Sequence, residues 1–344
     1  MEEKRTEISE LGEFGLIDRI SQTVEIQHPE SVLGIGDDAA LIDSGDHYTV
    51  LSTDMLLEGI HFDLAYMPLQ HLGYKAVAIN ISDIAAMNAV PKQITVNIGM
   101  SNRFSVEAVE AFYAGVRAAC ENFKADLVGG DTSSSASGFV ISVTAIGTVK
   151  KEKAIRRSGA QSGDIICVTG DLGAAYLGLQ VLEREKQVFL TNPEMQPQLE
   201  KYDYIVGRQL RPQARMDIIH ELDELGVVPT SMIDISDGLG SELLHLSRAS
   251  SLGVRIFEDK LPIDKQTYDT GYELGIDATT AALNGGEDYE LLFTIRENDL
   301  EKLKNHADIH FIGDMQSLKD GNIMVTKGEN VVSIKAQGWD HYSR

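Results

Sequence analysis

Acidic residues close one apolar run after another along this chain, and that recurrence constrains the fold more than any other feature. Gly34-Ile35-Gly36-Asp37-Asp38-Ala39-Ala40 sets two adjacent acids between Val32-Leu33 and Leu41-Ile42. Ser52-Thr53-Asp54, Ser82-Asp83, Gly129-Gly130-Asp131 and Asp234-Ile235-Ser236-Asp237-Gly238 repeat the pattern. Adjacent carboxylates repel each other and resist desolvation, while glycine lets another segment or a ligand approach the backbone closely. A hard cation resolves that conflict, because Mg²⁺ takes oxygen ligands and bridges a few carboxylates to phosphate oxygens. The first stretch alone reads equally well as a polar turn between two strands; its recurrence favours the cation.

The segments carrying these acids alternate between the two regular periodicities. Residues 48–54 are β-branched and apolar until the hydroxyls and Asp54 arrive, which predicts a buried strand delivering an acid at its end. Residues 68–87 have helical spacing, with Lys75, Ile79 and Asp83 on one face. A carboxylate in so apolar a helix is seldom buried without a partner. Asn88 follows, where a left-handed cap is expected. Further on, a strand is predicted at 94–100, a helix at 106–123, a short strand at Leu127-Val128 breaking at Gly129, and an alternating strand at 139–149 with one polar face. A short helix at about 11–23 precedes them all.

The composition changes near residue 155, which divides the chain into 1–155 and 156–344. At 344 residues the chain exceeds one ordinary core, so two domains are expected. The second half predicts strands at 165–169, 231–235, 254–257 and 290–295, and helices at 174–185, 215–225 and 239–249. A polar surface excursion is expected at 186–203. Gly285-Gly286-Glu287-Asp288-Tyr289 makes another glycine-hinged acidic turn.

Charge and composition exclude several functions. With 53 acidic and 30 basic residues the net charge is -23, which argues against a partner bound through a nucleic-acid backbone. An anionic small substrate meets the same field unless bound cations invert it locally. No apolar run reaches membrane-span length, and the N-terminus has no apolar signal region. Cys120 and Cys167 lack ligand spacing and fit a reducing cytoplasm. The chain has no phosphate-binding G-x-x-x-x-G-K-[ST] and no zinc helix H-E-x-x-H. Residues 34–39 match a loose dinucleotide pattern, but Asp37 and Asp38 would repel a pyrophosphate bound without metal. Residues 234–238 lack the oxygen spacing and late glutamate of an EF-hand.

The ordered set of motifs resembles the thiamine-monophosphate kinase family over nearly the whole chain. It comprises the stretches quoted above together with Arg157-Ser158-Gly159, Leu210-Arg211-Pro212 and the turn 285–290. That resemblance implies a two-domain α/β fold with mixed sheets, like aminoimidazole ribonucleotide synthetase, and a homodimer formed through the N-terminal sheets. It implies γ-phosphoryl transfer from ATP to thiamine monophosphate with several Mg²⁺ ions. Asp38, Ser52, Thr53, Asp54, Asp83, Asp131, Asp234 and Asp237 become the expected Mg²⁺ ligands, with Asp37 a weaker candidate. Tyr113, Gly130, Asp131, Arg157 and Ser236 would contact ATP, while His61, Glu287 and Trp339 would face thiamine monophosphate; Asp83, Asp131 and Arg157 would serve catalysis.

Relatives in the superfamily read less well. Selenophosphate synthetase would call for a reactive N-terminal cysteine or selenocysteine, and the nickel-hydrogenase maturation factor for a C-terminal cysteine. Aminoimidazole ribonucleotide synthetase is the alternative enzyme, and a non-catalytic nucleotide or metal binder is the alternative of another class.

Overall fold

The computed structural model describes residues 6–335. Helix α1 (Ile8–Ser21) is interrupted at Gly12, whose φ of 65° leaves the helical region. Strands β1 (Ser31–Leu33), β2 (Ala40–Asp43) and β3 (His47–Leu57) follow, then α2 (Leu69–Ala86), β4 (Val90–Met100), α3 (Val106–Phe123), β5 (Asp126–Ser134) and β6 (Val140–Lys150). The six strands form one sheet in the order β1-β2-β3-β6-β4-β5, with β4 and β5 parallel.

Helix α2 is apolar on nearly every side, and Leu72 to Ser82 are all buried. A helix of that composition is stable only when enclosed. It crosses α3 closely: a Cβ on Gly73 would lie 2.0 Å from the Phe112 carbonyl oxygen, and one on Gly115 would lie 1.8 Å from that of Gln70. Any side chain at either position would force the helices apart. Past its C-terminus, Asn88 takes the left-handed conformation, with φ 57°.

The second half contains β7 (Ile165–Thr169), α4 (Ala174–Thr191), α5 (Asp203–Leu210), α6 (Met216–Glu224), β8 (Ser231–Asp234), α7 (Leu239–Ser250), β9 (Gly253–Phe257), α8 (Lys265–Leu274), α9 (Ala278–Asn284) and β10 (Leu291–Ile295). Strands β11 (Ile309–Gln316), β12 (Asn322–Val325) and β13 (Val331–Ser333) complete it. Its seven strands run β13-β12-β9-β11-β7-β10-β8. Met232, Leu291 and Phe293 of this sheet join the same core as Ile79 and Ile84 of α2, so α2 is enclosed between the halves. Among the described residues, no helix is long and apolar enough to cross a membrane.

Two expected boundaries move. Strand β5 does not break at Gly129 but continues to Ser134, pairing Gly129 with Thr95 and Ser134 with Met100. Gly130 permits this, since a Cβ there would lie 1.8 Å from the Val96 carbonyl oxygen. Helix α4 continues to Thr191, so the excursion expected from residue 186 begins only near Pro193.

One face of the N-terminal sheet lies under α2 and α3, and the other is open. Strand β6 alternates half-buried and buried residues from Val140 to Val149. The register aligns Met55, Ser142, Asn97 and Asp131 across β3, β6, β4 and β5. Strand β5, at the sheet's edge, is exposed along its whole length.

Candidate active site

Four elements deliver acids to the junction between the halves. The turn after β1 carries Asp37 and Asp38, β3 carries Ser52 and Asp54, α2 carries Asp83, and β8 ends on Asp234. Carboxylate oxygens of Asp38, Asp83 and Asp234 all lie within 4.8 Å of one another. Ser52 Oγ donates to Asp83 Oδ2, and Ser82 Oγ donates to Asp234 Oδ2 at 2.5 Å. Asn80 Oδ1 accepts from the Asp54 amide at 3.0 Å.

Charge is poorly compensated here. Burial, and then the charges of Asp54, Asp234 and Asp38, push the Asp83 carboxyl well above the usual range. Burial pushes Asp54 up to about 6, against a hydrogen bond from Asp83. Asp234 rises to about 7 through burial and the charge of Asp38. The guanidinium of Arg157 reaches Asp38 Oδ1 from Nη2 at 2.7 Å and from Nε at 3.2 Å. Asp38 Oδ2 is buried without a hydrogen-bond partner. Clustered oxygen donors, mutual repulsion and an orphaned carboxylate oxygen fit a hard divalent cation.

Asp37 is held differently. Its carboxylate accepts from the Arg157 amide at 3.2 Å and 3.3 Å, and from the Asp38 amide at 3.1 Å, so it fixes the turn. Burial, and then Asp38, push its pKa up to about 6.

A cleft of about 610 Å³ is lined by Asp54, Asp83, Asp234 and Asp237, and also by His61, Ser236 and Glu287. Leu57 donates its amide to His61 Nδ1 at 3.0 Å, which orients the imidazole. Glu287 sits at φ 59°, a left-handed conformation, with its amide bonded to the Ser236 carbonyl at 2.7 Å. Glu242 was not anticipated: buried on α7, its Oε1 accepts from the amides of Ser236 and Asp237 at 3.2 Å and 2.8 Å. Burial and the neighbouring Asp237 push its pKa well up.

Lys75 and Gln209 were also not anticipated as site residues. Lys75 Nζ lies 2.7 Å from Glu287 Oε1, and Gln209 Nε2 donates to Glu287 Oε2 at 2.6 Å. The i, i+4 spacing of Lys75, Ile79 and Asp83 placed Lys75 on the acid's face, and that was the available signal.

Other expected residues stand elsewhere in the chain. Thr53 Oγ1 donates to the Val143 carbonyl at 3.0 Å, on the sheet face opposite Ser52 and Asp54, because strand side chains alternate. Its hydroxyl is therefore not part of the cluster. Asp131 lies on the open face too, in the row of Met55 and about 14 Å, or three strand spacings, from β3. Gly130 is its neighbour on exposed β5. Tyr113, on α3, packs edge-on to Phe112 with ring centroids 5.4 Å apart. Trp339 falls outside the described residues.

Residues 36–149 match the family described as AIR synthase related protein, N-terminal domain, and residues 161–322 match its C-terminal domain counterpart. The chain is 34% identical over 336 residues to the thiamine-monophosphate kinase of Aquifex aeolicus, covering 97% of this chain and 99% of the relative. It is 33% identical over 339 residues to that of Bacillus subtilis, covering 96% and 100%. A solved structure described as AaThiL complexed with AMPPCP and TMP matches with a TM-score of 0.83 and 32% identity, over 98% of this chain and 100% of that one. With that identity along nearly its full length, the chain belongs to the thiamine-monophosphate kinase family.

Proposed function

We propose that the chain transfers the γ-phosphoryl group of ATP in line to the phosphate of thiamine monophosphate, giving thiamine diphosphate and ADP. The observation that carries this reading is the under-compensated trio Asp38, Asp83 and Asp234, beside a cleft that Asp83 and Asp234 line with His61 and Glu287. Asp38, Asp83 and Asp234 would hold Mg²⁺, with Ser52, Asp54 and Asp237 adjoining. The ions would screen the two polyanions from each other and draw charge from the transferring group.

The chain's own residues do the rest. The attacking phosphate oxygen needs no general base, since a phosphate monoester with a second pKa of about 6 is largely ionised at neutral pH. Arg157, bonded to Asp37 and Asp38, would bring its guanidinium to the ATP phosphates. Glu242 keeps the amides of Ser236 and Asp237 pointing inward, which fixes the turn that carries them. His61 and Glu287 face the acceptor, with Trp339 assigned to it as well.

A homodimer belongs to the proposal. Pairing the open faces of two N-terminal sheets would cover Thr53, Asp131 and exposed β5 and would bring Gly130 and Asp131 to ATP, with Tyr113 of α3 assigned to ATP by the family resemblance alone. Residues 1–155 would then hold metal and nucleotide, and residues 156–344 would complete the substrate site. Cys120 and Cys167 are free thiols, which suits a cytoplasmic enzyme.

ATP labelled at the γ-phosphorus tests the reading. Transfer predicts label in thiamine diphosphate. Label released as inorganic phosphate would favour the synthetase alternative, and no ADP at all would favour a binding protein.

A further inference from the structure

Gln209 is buried, at 2% exposure, yet lines the cleft. Its amide orientation is set by its neighbours. Nε2 donates to Glu287 Oε2 at 2.6 Å, a bond that only the nitrogen end can make to a carboxylate. The oxygen end, Oε1, is left buried without a hydrogen-bond partner. A buried, unpaired carbonyl oxygen costs free energy unless a ligand supplies the donor.

The frame around this oxygen is rigid. Lys75, 1% exposed, bonds Glu287 Oε1 at 2.7 Å and the main-chain carbonyl of Gln209 at 3.3 Å. One ammonium on α2 thereby fixes both the end of α5 and the carboxylate of the 285–290 turn. Glu287 also differs from the acids of the cluster, because its charge is already matched by a lysine. It is suited to accept hydrogen bonds rather than to join the metal ligands. Tyr66 and Tyr176 line the same cleft and supply aromatic surface.

We propose that Gln209 is a specificity-determining residue, whose Oε1 accepts a hydrogen bond from the ring amine of the substrate's aminopyrimidine, with Glu287 beside it and Lys75 as the positioning residue. This rests on thiamine monophosphate being the acceptor. A site built to pair with an N–H rejects the analogue lacking it, because the acceptor then stays buried and unpaired. Lys75 contributes through Glu287 and Gln209 and does not touch the substrate.

The test compares thiamine monophosphate with an analogue whose ring amine is replaced by hydrogen. Calorimetric binding to the wild-type protein without ATP is expected to favour the amine by on the order of tenfold to a hundredfold, the cost of one buried neutral acceptor left unpaired. Gln209→Met should raise the KM for thiamine monophosphate about tenfold, leave the KM for ATP unchanged, and shrink the preference to about twofold. Lys75→Met should weaken binding of thiamine monophosphate, and Lys75→Arg should restore part of it. Equal wild-type affinity for the two ligands would overturn the proposal without any variant. So would a Gln209→Met enzyme that keeps the full preference. If the wild type makes no thiamine diphosphate from the true substrate, the kinase reading itself fails, and that result is distinct from a lost preference.

Discussion

Two acid-rich centres among the described residues differ in how their charge is met. Around Glu290, Arg208 Nη1 reaches Oε1 at 2.7 Å, Arg215 Nη1 reaches Oε2 at 2.7 Å, and Thr169 Oγ1 adds a bond at 2.5 Å. Arg215 extends the network to Asp217 and Asp308. In the Asp38, Asp83 and Asp234 cluster, by contrast, Arg157 pairs with Asp38 while Asp83 and Asp234 receive serine hydroxyls. The first centre is closed by its own cations and holds the C-terminal sheet to α5 and α6. The second is short of positive charge, which the proposed cations would supply.

The sharpest way to break that comparison is to neutralise one acid in each centre. Asp83→Asn should lower turnover by roughly a thousandfold or more through loss of the transition-state charge balance, while thermal stability holds or rises as repulsion is relieved. Kinetics and a melting curve on the same preparation check both halves. A variant that melts early but turns over normally would assign Asp83 to structure.

Glu290→Gln should do the opposite. Leaving buried Arg215 and half-buried Arg208 without their carboxylate costs about 3 kcal/mol or more of stability. Denaturant unfolding measures it. Near-normal KM values for both substrates in the folded fraction would complete the contrast.

A smaller effect is expected from pH. Asp54 and Asp234 have folded pKa values of about 6 and about 7, above the unfolded carboxylate value near 3.8. Between those limits the folded state binds more protons than the unfolded one, so stability falls as pH rises from about 4 to about 7. Metal-free protein should therefore lose several degrees in Tm across that window, and Mg²⁺ with nucleotide should flatten the slope. A slope of the other sign would show that the cluster is compensated from within.

The smallest change concerns Trp339. If Trp339 meets the thiamine rings as proposed, Trp339→Ala should raise the KM for thiamine monophosphate about tenfold, as a cation–π contact of roughly 1 to 2 kcal/mol would require, and leave the KM for ATP alone. An equal rise for both substrates would count against a role at the thiamine rings.

What the chain reveals before folding follows the same division. Helix α2 and strands β3 and β6 are legible because their periodicity is long and continuous, and Asp83 stands out because an apolar helix surrounds it. Residues Asp38, Asp54 and Asp234 carry a local signal, an acid at the end of an apolar run. Glu242, Lys75 and Gln209 carry none of that kind. Lys75 and Gln209 gain their meaning from Glu287, far along the chain, and Glu242 gains its own from the turn just before its helix. Strand alternation settles Thr53, whose hydroxyl faces away from its neighbours Ser52 and Asp54. Helices α8 and α9 had a readable start in the N-caps Asp264 and Asp277, but both are short, and the strands β11 to β13 lack a strong apolar run. The course of β5 beyond Gly129 depends on its register against β4, which is a property of the pair.

The central claim is that the under-compensated acid cluster works with a divalent cation to move phosphate onto thiamine monophosphate. The most direct measurement follows ADP and thiamine diphosphate together as Mg²⁺ is titrated into chelator-treated protein with both substrates present. The account predicts no product without the cation, and equal amounts of the two products that rise together as it is added. Thiamine diphosphate formed at full rate in the presence of excess chelator, or ADP formed with no matching thiamine diphosphate, would contradict the account.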